Sequence, residues 1–232
     1  MSEASLIEPG DAIEAGEPPL VHRYRLETRV NHWVNAAAMT LMVLSGLSMF
    51  HPSLFFLTVL FGGGQNTRAI HPWIGVVLVL SFNLLIIRFW RANLWNRSDT
   101  AWVAHVGDLV LGHEEKMPEA GKYNAGQKFI FWAMVILIAI LFATGIVMWD
   151  QYFSDLAGIQ TKRLAVLAHS VAAVGAICVL ILHVYAAIWV RGSFGAMIRG
   201  YVTAGWAWRH HRKWFRELAA LTGGEQSRSG GQ

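Results

Sequence analysis

Four stretches of the chain carry no Asp, Glu, Lys or Arg: the residues between Arg29 and Arg68, and residues 69–87, 129–149 and 164–190. Within the first, residues 33–50 are mostly apolar. Each run is close to the roughly 20 residues that cross a hydrocarbon core about 30 Å thick, so the pattern predicts four membrane-spanning helices and counts against an all-helical soluble core. The second would open on His71-Pro72, where a proline in the first turn costs no intrahelical hydrogen bond. The expected fold class is therefore all-α, an integral-membrane four-helix bundle over residues 23–192. A basic amphipathic segment over 193–220, with Trp206, Trp208, Trp214, Arg209, His210, His211, Arg212 and Lys213, is expected to form one interfacial helix on the inner leaflet. Residues 1–22 are acidic and polar, contain Pro18 and Pro19, and lack the basic flank and apolar core of a signal peptide. They are read as a disordered cytoplasmic arm, and the Gly, Ser and Gln rich residues 221–232 as a disordered tail.

Composition agrees: 54% of residues are hydrophobic and 15% charged. A net charge of +4 would suit nucleic acid or a membrane, and its distribution favours the membrane. Of 19 Lys and Arg, 16 fall in the N-terminal arm, the segment from Arg88 to Lys128 and the segment from Arg191, whereas the other two loops hold only Arg68, Lys162 and Arg163. The positive-inside rule then puts both termini in the cytoplasm, with the chain in a bacterial inner membrane and no nucleic-acid partner. Trp33, Trp73, Trp90, Trp95, Trp132, Trp149 and Trp189 lie near the span ends, where indoles bridge lipid and headgroup. The single cysteine, Cys178, excludes an intrachain disulfide, a cysteine-ligated iron–sulfur cluster and a covalent Cys-x-x-Cys-His haem.

Four of the ten histidines, His32, His71, His169 and His183, lie in or at the ends of spans, where ionisable side chains are functional candidates. His169 and His183 are 14 residues apart, which at about 100° each leaves them about 40° short of four turns and so on one face. They are separated by about 21 Å along the axis, one near each side of the membrane. With the N-terminus inside, His71 and His169 come level near the outer side, and His32 and His183 near the inner side. Two bis-histidine sites without nearby carboxylate or thiolate suit low-spin haem better than zinc, which generally takes four ligands. Ala36 to Ala38, Gly46, Gly75, Ala172, Ala173, Gly175 and Ala176 would either make room for a flat macrocycle or serve close helix packing. His22, His51, His105, His113, His210 and His211 read as solvated and stay outside the ligand set. Arg25, Arg29 and Arg68 would pair with haem propionates or with lipid headgroups.

Between the second and third spans, a short helix from an N-cap at Ser98 to Leu111 is expected, followed by Gly121-Lys122-Tyr123-Asn124-Ala125-Gly126-Gln127-Lys128. Two amide side chains around a glycine would hydrogen-bond the carbonyl oxygens of a quinone, or simply form a helix N-terminal turn.

That octapeptide, the Phe129-Ile130-Phe131-Trp132 after it, Arg29-Val30-Asn31-His32-Trp33, His71-Pro72, His169 and His183 together resemble the cytochrome b556 (gamma) subunit family of respiratory formate dehydrogenase, from about Tyr24 to Leu218. The resemblance implies a di-haem membrane cytochrome b in electron transport of anaerobic respiration. It would take electrons from an iron–sulfur (beta) subunit, and through it from a molybdenum or tungsten catalytic (alpha) subunit that oxidises formate. It implies that His71 and His169 hold the outer haem b, that His32 and His183 hold the inner one, and that Asn124, Gly126 and Gln127 line a quinone site beside the inner haem. The histidine pattern alone also fits the cytochrome b of a hydrogenase or another reductase. A histidine-lined transporter or a structural anchor is the reading from a different class, but the spans hold no Asp or Glu for a proton relay, and an anchor has no use for histidines paired by depth.

Overall fold

The computed structural model describes residues 11–14, 16 and 18–229. In chain order the elements are strands β1 (Ile13–Glu14) and β2 (Leu20–His22), helix α1 (Leu26–Phe50), a 3₁₀ helix Pro52–Phe61, α2 (Gly64–Phe89), α3 (Arg97–Ala104), α4 (Val106–Val110), a 3₁₀ turn Glu114–Lys116, α5 (Ala125–Met148), α6 (Asp150–Phe153), α7 (Ile159–Trp189), α8 (Ser193–Arg199), strand β3 (Tyr201–Thr203), α9 (Ala204–His210) and α10 (Arg212–Ser229). Four helices, α1, α2, α5 and α7, are long and apolar enough to cross a membrane. Only 6% of the most apolar window of α2 and of α5 is buried within the chain, and 11% of that of α7. Apolar faces left this open require a lipid solvent, which separates these helices from soluble core helices.

The helices extend beyond the apolar runs because polar residues are compatible with a helix wherever it leaves the hydrocarbon. The consequence matters for α2, which begins at Gly64, so His71-Pro72 lies two turns inside rather than at its start. Pro72 donates no hydrogen bond to the Arg68 carbonyl, a defect that membrane helices tolerate.

The chain divides into two compact units. One consists of residues 30–88 and 132–183, the central parts of the four spans. Its apolar core is Ala38, Met39, Leu78 and Ile138, with Met42, Ile74, Met134 and Leu180 packed against it. At one end of this unit Trp73 packs edge-on against Trp149 and Tyr152, with ring centres 5.1 and 5.8 Å away.

The other unit consists of the two ends of the chain and the segment 89–131. It departs from the sequence expectation in four ways. First, the arm expected to be disordered over 1–22 contains β1 and β2, which form an antiparallel sheet in the order β1-β2-β3 with Val21 opposite Val202. Residues 1–10, 15 and 17 lie outside the described residues. Second, the single interfacial helix expected over 193–220 is broken into α8, β3, α9 and α10. Gly200 ends α8 at φ 93°, and an added Cβ there would lie 2.7 Å from the Tyr24 carbonyl oxygen, so both the turn and the close backbone approach demand glycine. Third, α10 runs through residues 221–229 of the expected tail; residues 230–232 lie outside the described residues. Fourth, the N-cap of α3 is Asn96, in a reciprocal capping box with Asp99, rather than Ser98, and the helix breaks at His105 before α4.

The core of this unit is Val21, Ala196, Val202, Ala207, Trp214 and Leu218. Trp214 is fully buried, so of the three tryptophans expected to anchor an interfacial helix, this one faces inward. It belongs to an aromatic cage around Arg23, whose guanidinium lies 5.1 Å from the Trp214 ring, 5.3 Å from Trp206, 5.4 Å from Tyr24 and 5.7 Å from Tyr123. Arg23 Nη2 donates to the Lys122 carbonyl at 2.6 Å and to His211 Nε2 at 3.3 Å, while His211 Nδ1 donates to the Gly121 carbonyl at 2.7 Å. Lys122 in turn pairs with Asp11 at 2.6 Å, and Asp11 accepts from the Trp214 indole at 3.0 Å. His211, read from sequence as a solvated histidine, is 2% exposed. Burial first, and then the Arg23 charge, hold its pKa well below the usual histidine value.

This histidine sets a pH limit. The unfolded segment takes up a proton near the ordinary histidine pKa of about 6.5 and the folded one does so only at lower pH, so the stabilisation is complete above that value and is lost as the pH falls below it, by up to about 1.4 kcal/mol per pH unit. The protection factors of the β2 and β3 amides, exchange normalised to the intrinsic rate at each pH, are expected to fall from about pH 7 to about pH 5 in the native chain and to lose that dependence in His211→Gln, whose amide can both donate and accept. An equal pH slope in the variant would rule His211 out as the titrating group.

Candidate functional site

The central unit brings the four span histidines together as two pairs. His71 (α2) faces His169 (α7) with ring centres 6.4 Å apart, and His32 (α1) faces His183 (α7) at 6.2 Å. Two imidazoles that bind one metal from opposite sides, with nitrogens at about 2.0 Å and each ring centre about 1.1 Å further out, have centres about 6.2 Å apart. Both pairs therefore have the spacing of a bis-imidazole metal site. Among the described residues no group of three or more His, Cys, Asp and Glu side chains could hold a metal ion, so each pair offers two ligands and no more. That donor set fits the two axial positions of a haem and falls short of zinc.

The ligating nitrogens of the first pair are set by hydroxyls. Ser45 Oγ donates to the Leu41 carbonyl at 2.7 Å, which commits its proton and leaves it to accept from His71 Nδ1 at 2.7 Å. Thr144 Oγ1 donates to the Ile140 carbonyl at 2.7 Å and accepts from His169 Nδ1 at 2.8 Å. With both Nδ1 atoms acting as donors, both Nε2 lone pairs are left for a metal, the usual arrangement for a ligating histidine. Ser45 and Thr144 escaped the sequence reading, although a hydroxyl on a neighbouring span at the depth of a histidine is the signal that would find them.

His32 is positioned differently. One residue earlier on α1, Asn31 donates to Ser81 Oγ at 2.8 Å, and Asn35, one turn on, donates to the same oxygen at 2.9 Å. These bonds fasten α1 to α2 beside the histidine. His32 Nδ1 is itself buried without a hydrogen-bonding partner among the described residues.

The small residues divide into two groups. A Cβ added at Gly46 would lie 3.6 Å from His71 Cε1, and one at Gly145 would lie 3.7 Å from His169 Cε1, so these two glycines leave space at the imidazole edges. At Gly75 and Gly175 the added atom would instead meet Met42 at 3.4 Å and Leu137 at 3.3 Å, which makes them helix-packing glycines. Of the arginines considered for propionates, Arg29 donates to the Ile198 carbonyl at the end of α8, and Arg68 lines a cavity of about 400 Å³ with Ser48, His51, Phe55 and Thr58.

The remaining expected site residues, Asn124, Gly126 and Gln127, lie at the start of α5 in the unit of the chain ends. The Asn124 Oδ1 accepts the Gln127 N–H at 2.9 Å, and Gln127 Oε1 accepts the Asn124 N–H at 3.0 Å. They form a reciprocal helix cap, so the helix-turn reading describes their backbone role. Because both backbone partners are N–H donors, the acceptors must be the amide oxygens. That fixes the orientation of both amides and leaves both NH₂ groups without an acceptor among the described residues. At Gly126 an added Cβ would lie 3.2 Å from the Trp102 ring of α3, so the glycine lets that ring approach the turn.

A family model described as prokaryotic cytochrome b561 matches residues 23–200. The chain is 40% identical over 200 residues to the formate dehydrogenase cytochrome b556(fdo) subunit of Escherichia coli (strain K12), covering 86% of this chain and 94% of that protein. It is 35% identical over 205 residues to the formate dehydrogenase cytochrome b556 subunit of Haemophilus influenzae, covering 88% and 86%. To the nitrate-inducible formate dehydrogenase cytochrome b556(Fdn) subunit of Escherichia coli (strain K12) it is 34% identical over 211 residues, covering 91% and 97%.

Proposed function

Because the chain belongs to the prokaryotic cytochrome b561 family, a family of haem b proteins, we propose that His71 with His169 and His32 with His183 hold two haems b and that the chain is the membrane cytochrome b subunit of a formate dehydrogenase. The observation that carries the haem assignment is the ring-centre spacing of 6.4 and 6.2 Å in two histidine pairs that have no third ligand among the described residues. The names and high mutual coverage of the relatives support the formate dehydrogenase assignment.

In this reading an iron–sulfur subunit delivers electrons, a molybdenum or tungsten subunit beyond it oxidises formate, and a quinone is the acceptor. The haems supply one-electron carriage between donor and quinone. The chain's own residues do the rest: Ser45 and Thr144 hold the His71 and His169 tautomers, Asn31 and Asn35 fix α1 at His32, and the Asn124 and Gln127 amides donate to the quinone carbonyl oxygens. Gly126 lines the same site, packed against Trp102. The charge bias supports a cytoplasmic location for both termini and the Asn124 turn in a bacterial inner membrane, and in this reading quinol forms with protons drawn from inside.

Replacing Asn124 by Ala removes one donor and is expected to leave both haem spectra unchanged while lowering quinone reduction about tenfold, as a lost hydrogen bond worth about 1.5 kcal/mol would. Wild-type quinone turnover in this variant would remove Asn124 from the site.

A further inference from the structure

Beside the capped start of α5 lies a buried ion pair whose carboxylate closes the α3 capping box and whose ammonium none of the roles above uses. Lys128 is 4% exposed and Asp99 3% exposed. The Lys128 ammonium donates to Asp99 Oδ2 at 2.7 Å and to the Leu94 carbonyl at 3.0 Å, and Asp99 Oδ2 also accepts the Asn96 N–H at 2.8 Å. The third ammonium proton and Asp99 Oδ1 have no partner among the described residues. A buried pair of this kind contributes little stability relative to apolar side chains of the same volume, because desolvating two charges offsets their attraction. Its presence next to a site is better explained by chemistry than by stability.

The local geometry ties the pair to the amides. Lys128 lies one turn after Asn124 on α5, and its N–H donates to the Asn124 carbonyl at 3.1 Å, so the two side chains share a face. Trp102 lies three residues after Asp99 on α3, and its ring covers Gly126. One face of α3, carrying Asp99 and Trp102, thus closes over the turn of α5 that carries Gly126 and Lys128.

We propose that Lys128 is the proton donor to the quinone held by Asn124 and Gln127, and that Asp99 returns the proton to it. The inference rests on the quinone reading of this turn. Reducing a quinone to a quinol takes two electrons, here from the iron–sulfur donor, and two protons. For each proton the Nζ–H bond of Lys128 breaks as an O–H bond forms on a quinone oxygen, and the neutral amine is reprotonated from cytoplasmic water through the Asp99 carboxylate. Two such transfers complete the quinol and leave the pair in its starting state.

Lys128→Arg separates this role from a structural one. Arginine keeps the charge and the bond to Asp99 but does not release a proton at working pH. In membranes containing the whole complex, with haems pre-reduced by dithionite, reoxidation by a short-chain naphthoquinone is followed at the haem α band. The result expected for Lys128→Arg is unchanged haem content and half-saturating naphthoquinone concentration, with the maximal rate lowered at least tenfold. A wild-type maximal rate in Lys128→Arg, beside a slow Lys128→Met, would reduce the pair to a structural element and overturn the proposal. Equal rates in the wild type and Asn124→Ala would instead bring down the quinone reading of the turn, and this proposal with it.

Discussion

Replacing His71 by Ala is expected to remove one of two haems b and leave the other. The substitution takes away one of the two imidazoles of a pair, and a single remaining His169 holds haem far more weakly than two ligands on opposite faces. The fold has reason to survive. Ser45 retains its bond to the Leu41 carbonyl, and Thr144 continues to accept from His169. The second pair is about 21 Å away along α7 and is separated from the first by the apolar layer of Ala38, Met39, Leu78 and Ile138. Half the haem should therefore be lost, and His183→Ala should lose the other half. Loss of both haems in each single variant, with the protein still inserted, would contradict two independent sites.

Gly46→Leu is expected to abolish the same haem without touching a ligand. The Cβ itself fits, at 3.6 Å from His71 Cε1, but the branched atoms beyond it enter the space beside the Nε2 edge where a macrocycle would lie. Gly175→Ala, by contrast, adds an atom 3.3 Å from Leu137 and asks only for a small side-chain shift, at a cost of about 1–3 kcal/mol in packing. The variants should be compared by haem content per inserted chain. Full haem in Gly46→Leu would assign Gly46 to helix packing with Gly75 and Gly175.

The spans and the histidine pairs were legible in the sequence because both depend on short-range periodicity. A charge-free run reports its own length, and a spacing of 14 residues on a helix reports its own face. The orientation that levels His71 with His169 adds only an alternation of direction from span to span. Hydropathy did not reveal where the helices end. Gly64–Arg68 is polar yet helical, and this places Pro72 inside α2.

The unit of the chain ends was not legible, because it is made from contacts with no local signature. Arg23 and His211 are 188 residues apart, Lys122 and Asp11 are 111 apart, and strands of two or three residues carry too few positions for a period of two to register. A solvated histidine and a buried one look alike in sequence until their partners are known. The cap at the start of α5 was within reach: Asn124 and Gln127 have the spacing of a capping box, and reading that signature would have fixed the amide oxygens and identified the free NH₂ groups in advance.

The measurement that bears most directly on the account is the haem b content of the wild-type chain purified from membranes, by pyridine haemochrome against protein, with the dithionite-reduced minus oxidised spectrum as its companion. The account predicts two haems b per chain and a b-type α band. One haem or none per chain, in a protein that retains its partner subunits, would contradict it.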